Sequence, residues 1–154
     1  MNKLKPYHNT QNAIGYKIHT TFRNIGVTID RCMESNNISL RSDQGPLLMV
    51  SAEFQGRSMK DLSLIFGRDK AGVFRGLRSL EKSGLVRLEG DTADKRKRLV
   101  FLTPAGKTMV KELQKIIADT ETKIIEGIPA KELTCFNKVL DAINLNCMKN
   151  IETK

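Results

Sequence analysis

The sequence predicts a mainly α-helical fold that carries one short β-hairpin. Segments near both ends repeat apolar residues at three- and four-residue steps, the spacing that places one apolar stripe along a helix. Two shorter helical segments adjoin in the middle of the chain, and two short runs of β-forming residues follow them. Because 154 residues is the length of one ordinary domain, we expect a single domain over 1–154.

The N-terminal part of the chain predicts two helices after a polar leader that ends near Asn12. The stripe of the first helix consists of Ile14, Ile18, Phe22, Ile25, Ile29 and Cys32. Asn36-Asn37 ends this helix, and Ser42 is expected to cap a second one, in which Pro46 is tolerated within the first turn. The apolar side of the second helix is predicted to be Leu47, Val50 and Phe54, with Gln55-Gly56 closing the element.

The C-terminal part predicts two further amphipathic helices. Thr103-Pro104 places a capping hydroxyl before a proline at the first helical position, which is a strong start signal. The stripe that follows consists of Met109, Leu113, Ile116, Ile117, Thr120 and Ile124. Gly127-Ile128-Pro129 interrupts it, and the last helix is expected to carry Leu133, Phe136, Leu140, Ile143 and Cys147 on one side.

The central part predicts a helix-turn-helix followed by a hairpin. Ser58 and Asp61 form a capping arrangement ahead of Leu62, Ile65 and Phe66, and Gly67-Arg68-Asp69 connects this short helix to the next, from Lys70 to Ser83. The strands are predicted at Leu85-Val86-Arg87-Leu88 and Leu99-Val100-Phe101-Leu102. The loop between them, Glu89 to Arg98, is a long basic tip.

Charge points to a polyanionic partner. The chain has 26 Lys+Arg against 17 Asp+Glu, a formal net charge of +9 and a pI near 9.6, and basic residues dominate between Arg57 and Lys107. No apolar run is long enough to span a bilayer and Met1–Thr10 is polar, so we expect a cytoplasmic protein that does not bind membranes. The widely separated Cys32, Cys135 and Cys147 predict neither disulfides, nor a metal site, nor a cofactor.

The helix predicted from Lys70 has two distinct faces. Val73, Leu77 and Leu80 share one face, and Ala71, Arg75, Arg78 and Lys82 share the opposite one. Such a helix fits the DNA major groove, where arginine forms bidentate hydrogen bonds to guanine. An ordinary solvated face is the alternative, but the wing residues Lys95, Arg96, Lys97 and Arg98 supply a second basic probe on the same unit.

Two central motifs resemble the MarR family of winged helix-turn-helix transcription regulators. Asp94-Lys95-Arg96 followed by Leu99-Val100-Phe101-Leu102-Thr103 and Gly106 is similar to the family's D-x-R…L-T-x-x-G wing signature. Leu80-Glu81-Lys82-Ser83-Gly84-Leu85-Val86 is similar to the L-E-x-x-G-L-V passage from recognition helix to wing.

The resemblance implies a bacterial homodimer that binds a pseudo-palindromic operator in double-stranded DNA, is released by a small-molecule effector and acts as a repressor. It implies a winged helix-turn-helix at about 43–103, with dimerisation helices at about 12–36 and 104–150. It also implies that Arg96 enters the minor groove, held by Asp94, and Asp94 could stabilise the turn at the same time.

The recognition helix departs from the family pattern in its first turns. Ala71, Gly72 and Phe74 stand where hydroxyl side chains are common, so base reading is expected from Lys70, from Arg75 and from a contact of Phe74 with a thymine methyl group. Phe74 could instead be a partly buried core residue. Gly72 and Gly76 weaken a helix by ~1 kcal/mol each relative to Ala, and a close backbone approach to DNA or to the third helix could be the reason.

Two other functional classes fit the sequence less well than DNA binding. The chain lacks the residues that an enzyme active site would need, since His8 lies in the leader, His19 has no evident acid or nucleophile partner and no phosphate loop is present. A winged-helix module that binds protein and not DNA would not need the basic charge. Cys32, which lies on the apolar stripe, is expected to be a core residue and not a redox sensor. Tyr16 and His19 are candidates for a ligand pocket, with a structural role as the alternative.

Overall fold

The computed structural model describes residues 13–41, 43–66 and 69–152, with side chains up to 150. These residues form six helices and one antiparallel hairpin, which confirms the predicted fold class. In chain order the elements are α1 (Ile14–Ser35), α2 (Gln44–Glu53), α3 (Met59–Phe66), α4 (Lys70–Lys82), β1 (Val86–Gly90), β2 (Arg98–Leu102), α5 (Pro104–Ile124) and α6 (Ala130–Glu152). The chain divides into two compact units, one up to Thr120 and one from Glu121.

The first unit contains the helix-turn-helix, the hairpin and one apolar core. Leu48, Leu62, Leu77, Leu80 and Val100 are completely buried in this core. The core joins residues of α1, α2, α3, α4, both strands and α5, so the recognition helix and the hairpin share one packed interior. Burial of this apolar surface is the main force that holds the unit together.

Helix α2 differs in detail from the sequence prediction. It begins at Gln44, and Ser42, its expected cap, lies outside the described residues. Leu47 is buried as predicted, but Leu48 is the second core residue, whereas Val50 is half-buried and Phe54 follows the last residue of the helix. Phe54 is the C-cap and not a member of the helix, but like Val50 it is partly buried and packs against the core, as an apolar side requires.

Helices α3 and α5 begin with the predicted caps. The Ser58 hydroxyl donates to Asp61 Oδ2 (2.7 Å) and accepts from the Asp61 N–H (3.1 Å), and the Ser58 N–H donates to the same carboxylate (3.3 Å). This is a capping box with aspartate in the position usual for glutamate. At α5, Thr103 Oγ1 accepts from the Gly106 N–H (3.0 Å). Gly67, the expected end of α3, lies outside the described residues.

The hairpin is longer than predicted. Its register runs from Val86 opposite Leu102 to Gly90 opposite Arg98, so Arg98 belongs to β2 and the tip contains residues 91–97 only. The prediction that placed Arg98 in the loop was wrong because strand pairing continues through polar residues. The Gly56 N–H donates to the Val100 carbonyl (2.8 Å) and the Val100 N–H to the Arg57 carbonyl (3.0 Å). The segment before α3 therefore fixes the outer edge of β2.

A close contact between the start of α5 and the end of α4 explains the glycine of the wing signature. Thr103 Oγ1 donates to the Gly84 carbonyl (2.6 Å), and a Cβ at Gly106 would lie 1.9 Å from the Leu85 carbonyl oxygen. No side chain fits at position 106. Further along α5, Val110 is buried and Met109 is only half-buried. The buried position therefore lies one residue later than the predicted stripe at this point.

The second unit consists of the end of α5, the turn at Gly127 and α6. Gly127 has φ +77°, a conformation that favours glycine. Leu133, Leu140 and Ile143 of α6 are half-buried, as the predicted stripe requires, but Phe136 is 54% exposed and Cys147 is also exposed. Across the described part of the chain, none of the helices is both long enough and apolar enough to cross a membrane.

Candidate DNA-binding surface

Helix α4 is held in place by a cap and by its apolar face. The Asp69 side chain accepts from the N–H groups of Ala71 (3.3 Å) and Gly72 (2.8 Å). The sequence pattern places Asp69 in the connecting turn, although aspartate is also a preferred N-cap residue. Val73, Leu77 and Leu80 are buried, as predicted, and they fix the rotation of the helix about its axis.

Gly76 allows α4 to approach α2. A Cβ at this position would lie 2.6 Å from Leu47 Cδ2, which is too close for a side chain without movement of Leu47. The close approach is therefore to the second helix, and the expected alternatives, DNA or the third helix, are wrong for Gly76. Gly72 has a different neighbour, because its Cβ would lie 3.3 Å from the capping oxygen of Asp69.

The opposite face of α4 is exposed and basic, as the helical pattern predicts. Its solvent-exposed members are Lys70, Ala71, Arg75, Arg78 and Lys82. Arg78 Nη1 forms an ion pair with Glu81 Oε2 at 2.9 Å, whereas Arg75 makes no ion pair with any described residue. An open cleft of about 620 Å³ lies along this face and is lined by Phe74, Arg75, Arg78, Ser79, Glu81 and Lys82. Arg75 is thus the arginine whose guanidinium is available.

Phe74 belongs partly to the core and partly to this surface. Its ring is half-buried and packs against the buried cluster, and Lys70 Nζ lies 5.6 Å from the ring centroid. At that distance a cation–π attraction is expected. The core interpretation of Phe74 is therefore supported, and the ring edge also lines the cleft.

The tip of the wing is built by two aspartates. Asp91 Oδ1 accepts from the Ala93 N–H (2.7 Å), and Asp94 Oδ1 accepts from the Arg96 N–H (3.1 Å). Arg96 Nε lies 3.8 Å from the same Asp94 oxygen, and the Arg96 side chain is 97% exposed. Asp94 therefore stabilises its own turn, and its carboxylate lies near enough to attract the exposed Arg96 side chain.

Further basic residues surround the wing tip. Lys95, Lys97 and Arg98 are exposed, and Arg87 lies over the Phe101 ring at 5.0 Å while it also pairs with Glu89. Hydrogen bonding from the Ser58 hydroxyl lowers the pKa of Asp61 against an opposing effect of burial, and the positive charges of Arg57 and Lys97 lower it further. The start of α3 and the wing tip therefore lie within electrostatic reach of each other.

A polar bridge between α2 and α4 was not anticipated from the sequence. Gln44 is buried, with 5% exposure; its Oε1 accepts from the Arg41 N–H (2.9 Å) and its Nε2 donates to Ser79 Oγ (2.8 Å). Arg41 Nε and Nη2 donate to the two Asp43 carboxylate oxygens at 3.0 and 2.7 Å. This hydrogen bond and the charge of Asp43 raise the pKa of Arg41, which stays protonated.

Comparison with known proteins agrees with this arrangement. A model of the MarR family matches residues 38–97, which include α2, α3, α4, β1 and the wing tip. A crystal structure of a MarR transcriptional regulator from Methanosarcina mazei Go1 is similar over 88% of this chain and 96% of its own, with 25% identity and a TM-score of 0.78. The central part of the chain, residues 38–97, is therefore similar to the MarR family. Members of this family are transcription regulators.

Two further MarR-like structures share the fold. One is the transcriptional repressor CouR bound to a 23-mer DNA duplex, with 19% identity, a TM-score of 0.79 and coverage of 93% of this chain and 99% of CouR. The other is Bordetella bronchiseptica BpsR, in a study of how 6-hydroxynicotinic acid regulates its DNA binding, with 21% identity, a TM-score of 0.77 and coverage of 91% and 98%.

The remaining predicted residues lie on α1 and α6. Tyr16 and His19 are both exposed, three residues apart, which places them on one side of the helix. Cys32 is half-buried and packs against the core, which agrees with its interpretation as a core residue. Cys135 and Cys147 are exposed on α6.

Proposed function

We propose that this protein is a sequence-specific, double-stranded DNA-binding transcription regulator of the MarR type. The observation that carries the proposal is the division of α4 into a buried apolar face and an exposed basic face, next to a wing with a basic tip. A helix with side chains is 10–12 Å in diameter and the major groove is about 12 Å wide, so α4 fits the groove with its basic face towards the bases.

Arg75 is the proposed base-reading residue. It is exposed, it makes no ion pair with a described residue, and it follows Ala71 by one helical turn. Its planar guanidinium can donate two hydrogen bonds to O6 and N7 of one guanine, and the Ala71 methyl group can contact a thymine methyl. Lys70, Arg78 and Lys82 supply positive charge around this contact.

Arg96 is the proposed minor-groove contact. A narrow A·T-rich minor groove concentrates negative potential, which attracts an inserted arginine. Asp94 orients the tip from which the Arg96 side chain projects, and Lys95 and Lys97 lie next to phosphates in this arrangement. Helix and wing then bind adjacent grooves of one half-site.

A homodimer on a pseudo-palindromic operator follows from the size of one such unit. One helix and one wing contact few bases, and a two-fold dimer doubles the interface. CouR, a repressor with the same fold, binds a 23-mer duplex, and this supports a repressor role. BpsR, whose DNA binding is regulated by 6-hydroxynicotinic acid, supports control by a small effector, for which Tyr16 and His19 are candidate contacts. The regulator would act in the bacterial cytoplasm, where the DNA lies.

Selection of bound sequences from random duplex DNA tests the proposal. We expect a recovered palindrome with half-sites about one helical turn apart, and tighter binding to this duplex than to a scrambled one. Enrichment without symmetry would contradict the dimeric arrangement. Failure to enrich any sequence, together with capture of a protein partner, would favour the alternative of a winged-helix protein-interaction module.

A further inference from the structure

The start of α2 lies beside the exposed face of α4, and Arg41, a basic residue, precedes it in the chain. Ser79, the acceptor of the Gln44 amide, lines the same open cleft as Arg75 and Arg78. Asp43 shares a second hollow, of about 210 Å³, with Asp69 and Gly72 of the first turn of α4. The Gln44–Ser79 hydrogen bond and the hollow that Asp43 shares with α4 therefore place Gln44 and Asp43 along the flank of the recognition helix.

The Arg41 side chain is oriented by Asp43 and still has N–H groups that could bind an anion. It is 68% exposed, and its Nε and Nη2 donate to Asp43 at 3.0 and 2.7 Å. A guanidinium has five N–H donors, so two are engaged by Asp43 and three remain for another acceptor. A carboxylate that fixes a guanidinium in this way reduces the entropy lost when the guanidinium binds an anion.

We propose that Arg41 is a further DNA contact, which binds a backbone phosphate at the edge of the major groove and is positioned for it by the Gln44–Ser79 bridge. This inference rests on the proposed function, because it takes α4 to be the helix in the groove. A helix that fills the groove brings the groups on its flank against the phosphate backbones that border it. The contact adds affinity and fixes the register of α4, but it reads no base.

The buried Gln44–Ser79 bridge fixes the backbone of Arg41 relative to α4. Gln44 holds the Arg41 backbone with one end of its amide and the α4 hydroxyl with the other, so the distance between Arg41 and Arg75 is fixed through hydrogen bonds of 2.8 and 2.9 Å. Phosphate contacts set the orientation of a protein on the duplex, and base contacts depend on that orientation. Gln44 and Ser79 are accordingly positioning residues.

The test compares Arg41→Ala, Arg41→Lys and the control Lys115→Ala, in which an exposed charge on α5 is lost. Affinity is measured at several salt concentrations for the selected duplex and for a pool of random-sequence duplexes. Arg41→Ala should weaken binding to both DNAs by a similar factor, roughly three- to tenfold at low salt, and should reduce the salt slope by about 0.9 per subunit. Arg41→Lys should retain the slope with part of the affinity, and Lys115→Ala should match the wild type.

Ser79→Ala tests the positioning part without a change in charge. We expect it to weaken binding in the wild-type background and to have no further effect in Arg41→Ala, a coupling measured by the double-mutant cycle. A loss that persists in Arg41→Ala would overturn the role of the bridge in placing Arg41. If Arg41→Ala behaves like Lys115→Ala while Arg75→Ala and Arg96→Ala weaken binding, this inference alone fails; if all of them leave binding unchanged, the proposed function fails.

Discussion

Asp94 accepts the backbone N–H of Arg96 at 3.1 Å and lies 3.8 Å from Nε of the same arginine. Asp94→Ala therefore removes both the turn bond and the attraction that directs the guanidinium. We expect weaker operator binding, although removal of a negative charge near DNA would by itself strengthen it. Fluorescence anisotropy measures the change, and Glu112→Gln, at an exposed position on α5, controls for net charge. Tighter binding by Asp94→Ala would mean that Asp94 does not position Arg96.

Arg96→Ala should remove a contact whose strength depends on the width and the negative potential of the minor groove. We expect weaker binding to many sequences, the greatest loss where the flanks are A·T-rich, and a flatter dependence of log affinity on log salt, because fewer counterions are released. Titrations with A·T-rich and G·C-rich flanks around the same core measure this. An equal loss on both flanks would contradict insertion of Arg96 into the minor groove.

Arg75 and Arg78 should differ although both are exposed on α4. Arg75→Ala should cost ~1–3 kcal/mol on the best operator and relax the preference at one position in each half-site. Arg78→Ala should cost less, since Glu81 holds Arg78 Nη1 at 2.9 Å and a bidentate contact with guanine needs two N–H donors of the same guanidinium. Binding to a panel of single-position operator variants tests both. A larger specificity loss for Arg78→Ala would reverse the assignment.

Gly106→Ala should destabilise the first unit. The new Cβ would meet the Leu85 carbonyl oxygen at 1.9 Å, so the turn from α4 to β1 or the start of α5 must move. Overpacking of this kind typically lowers the free energy of unfolding by about 1–3 kcal/mol. Urea unfolding measures it, with Gly15→Ala as the control, because a Cβ at Gly15 has no neighbour within 4 Å. Equal stability of the two variants would contradict the contact.

The apolar surfaces of α1 and α6 predict a dimer. Phe22 is 68% exposed, and Phe136 and Met148 are 54% and 61% exposed. Burial of such side chains between two protomers is favourable, so sedimentation at micromolar concentration should give a dimer. Phe22→Glu should shift the population towards monomer and weaken operator binding. Leu64→Glu, which alters an equally exposed side chain on α3, should remain dimeric. A monomeric wild type would refute the prediction.

Cys32 is not expected to act as a redox switch, since its side chain is half-buried against the core. Cys32→Ser should leave any response of DNA binding to peroxide unchanged. Peroxide treatment followed by operator titration tests this, with Cys135→Ser and Cys147→Ser as exposed controls. The prediction is wrong if Cys32→Ser binds DNA normally and abolishes a peroxide-induced release that the controls retain.

Local patterns predicted the elements whose signals lie within one or two turns of chain. The Ser58–Asp61 box and the Thr103 cap join residues three apart, and the two faces of α4 follow from helical geometry. The motif around Asp94 and Arg96 pointed to the wing tip, where both residues contact their own turn. The N-cap role of Asp69 was not predicted, although the hydrogen bond is local, because aspartate favours turns and N-caps alike.

Only the tertiary structure decided the contacts between distant segments. Gly76 faces Leu47, Gly106 lies under the Leu85 carbonyl, and Gln44 bonds Ser79 across 35 residues of chain. The sequence identifies each glycine and each glutamine, but it does not identify the segment that will pack against that residue. That choice depends on how all the apolar faces are buried together, so the setting of Arg41 beside α4 could be found only in the folded chain.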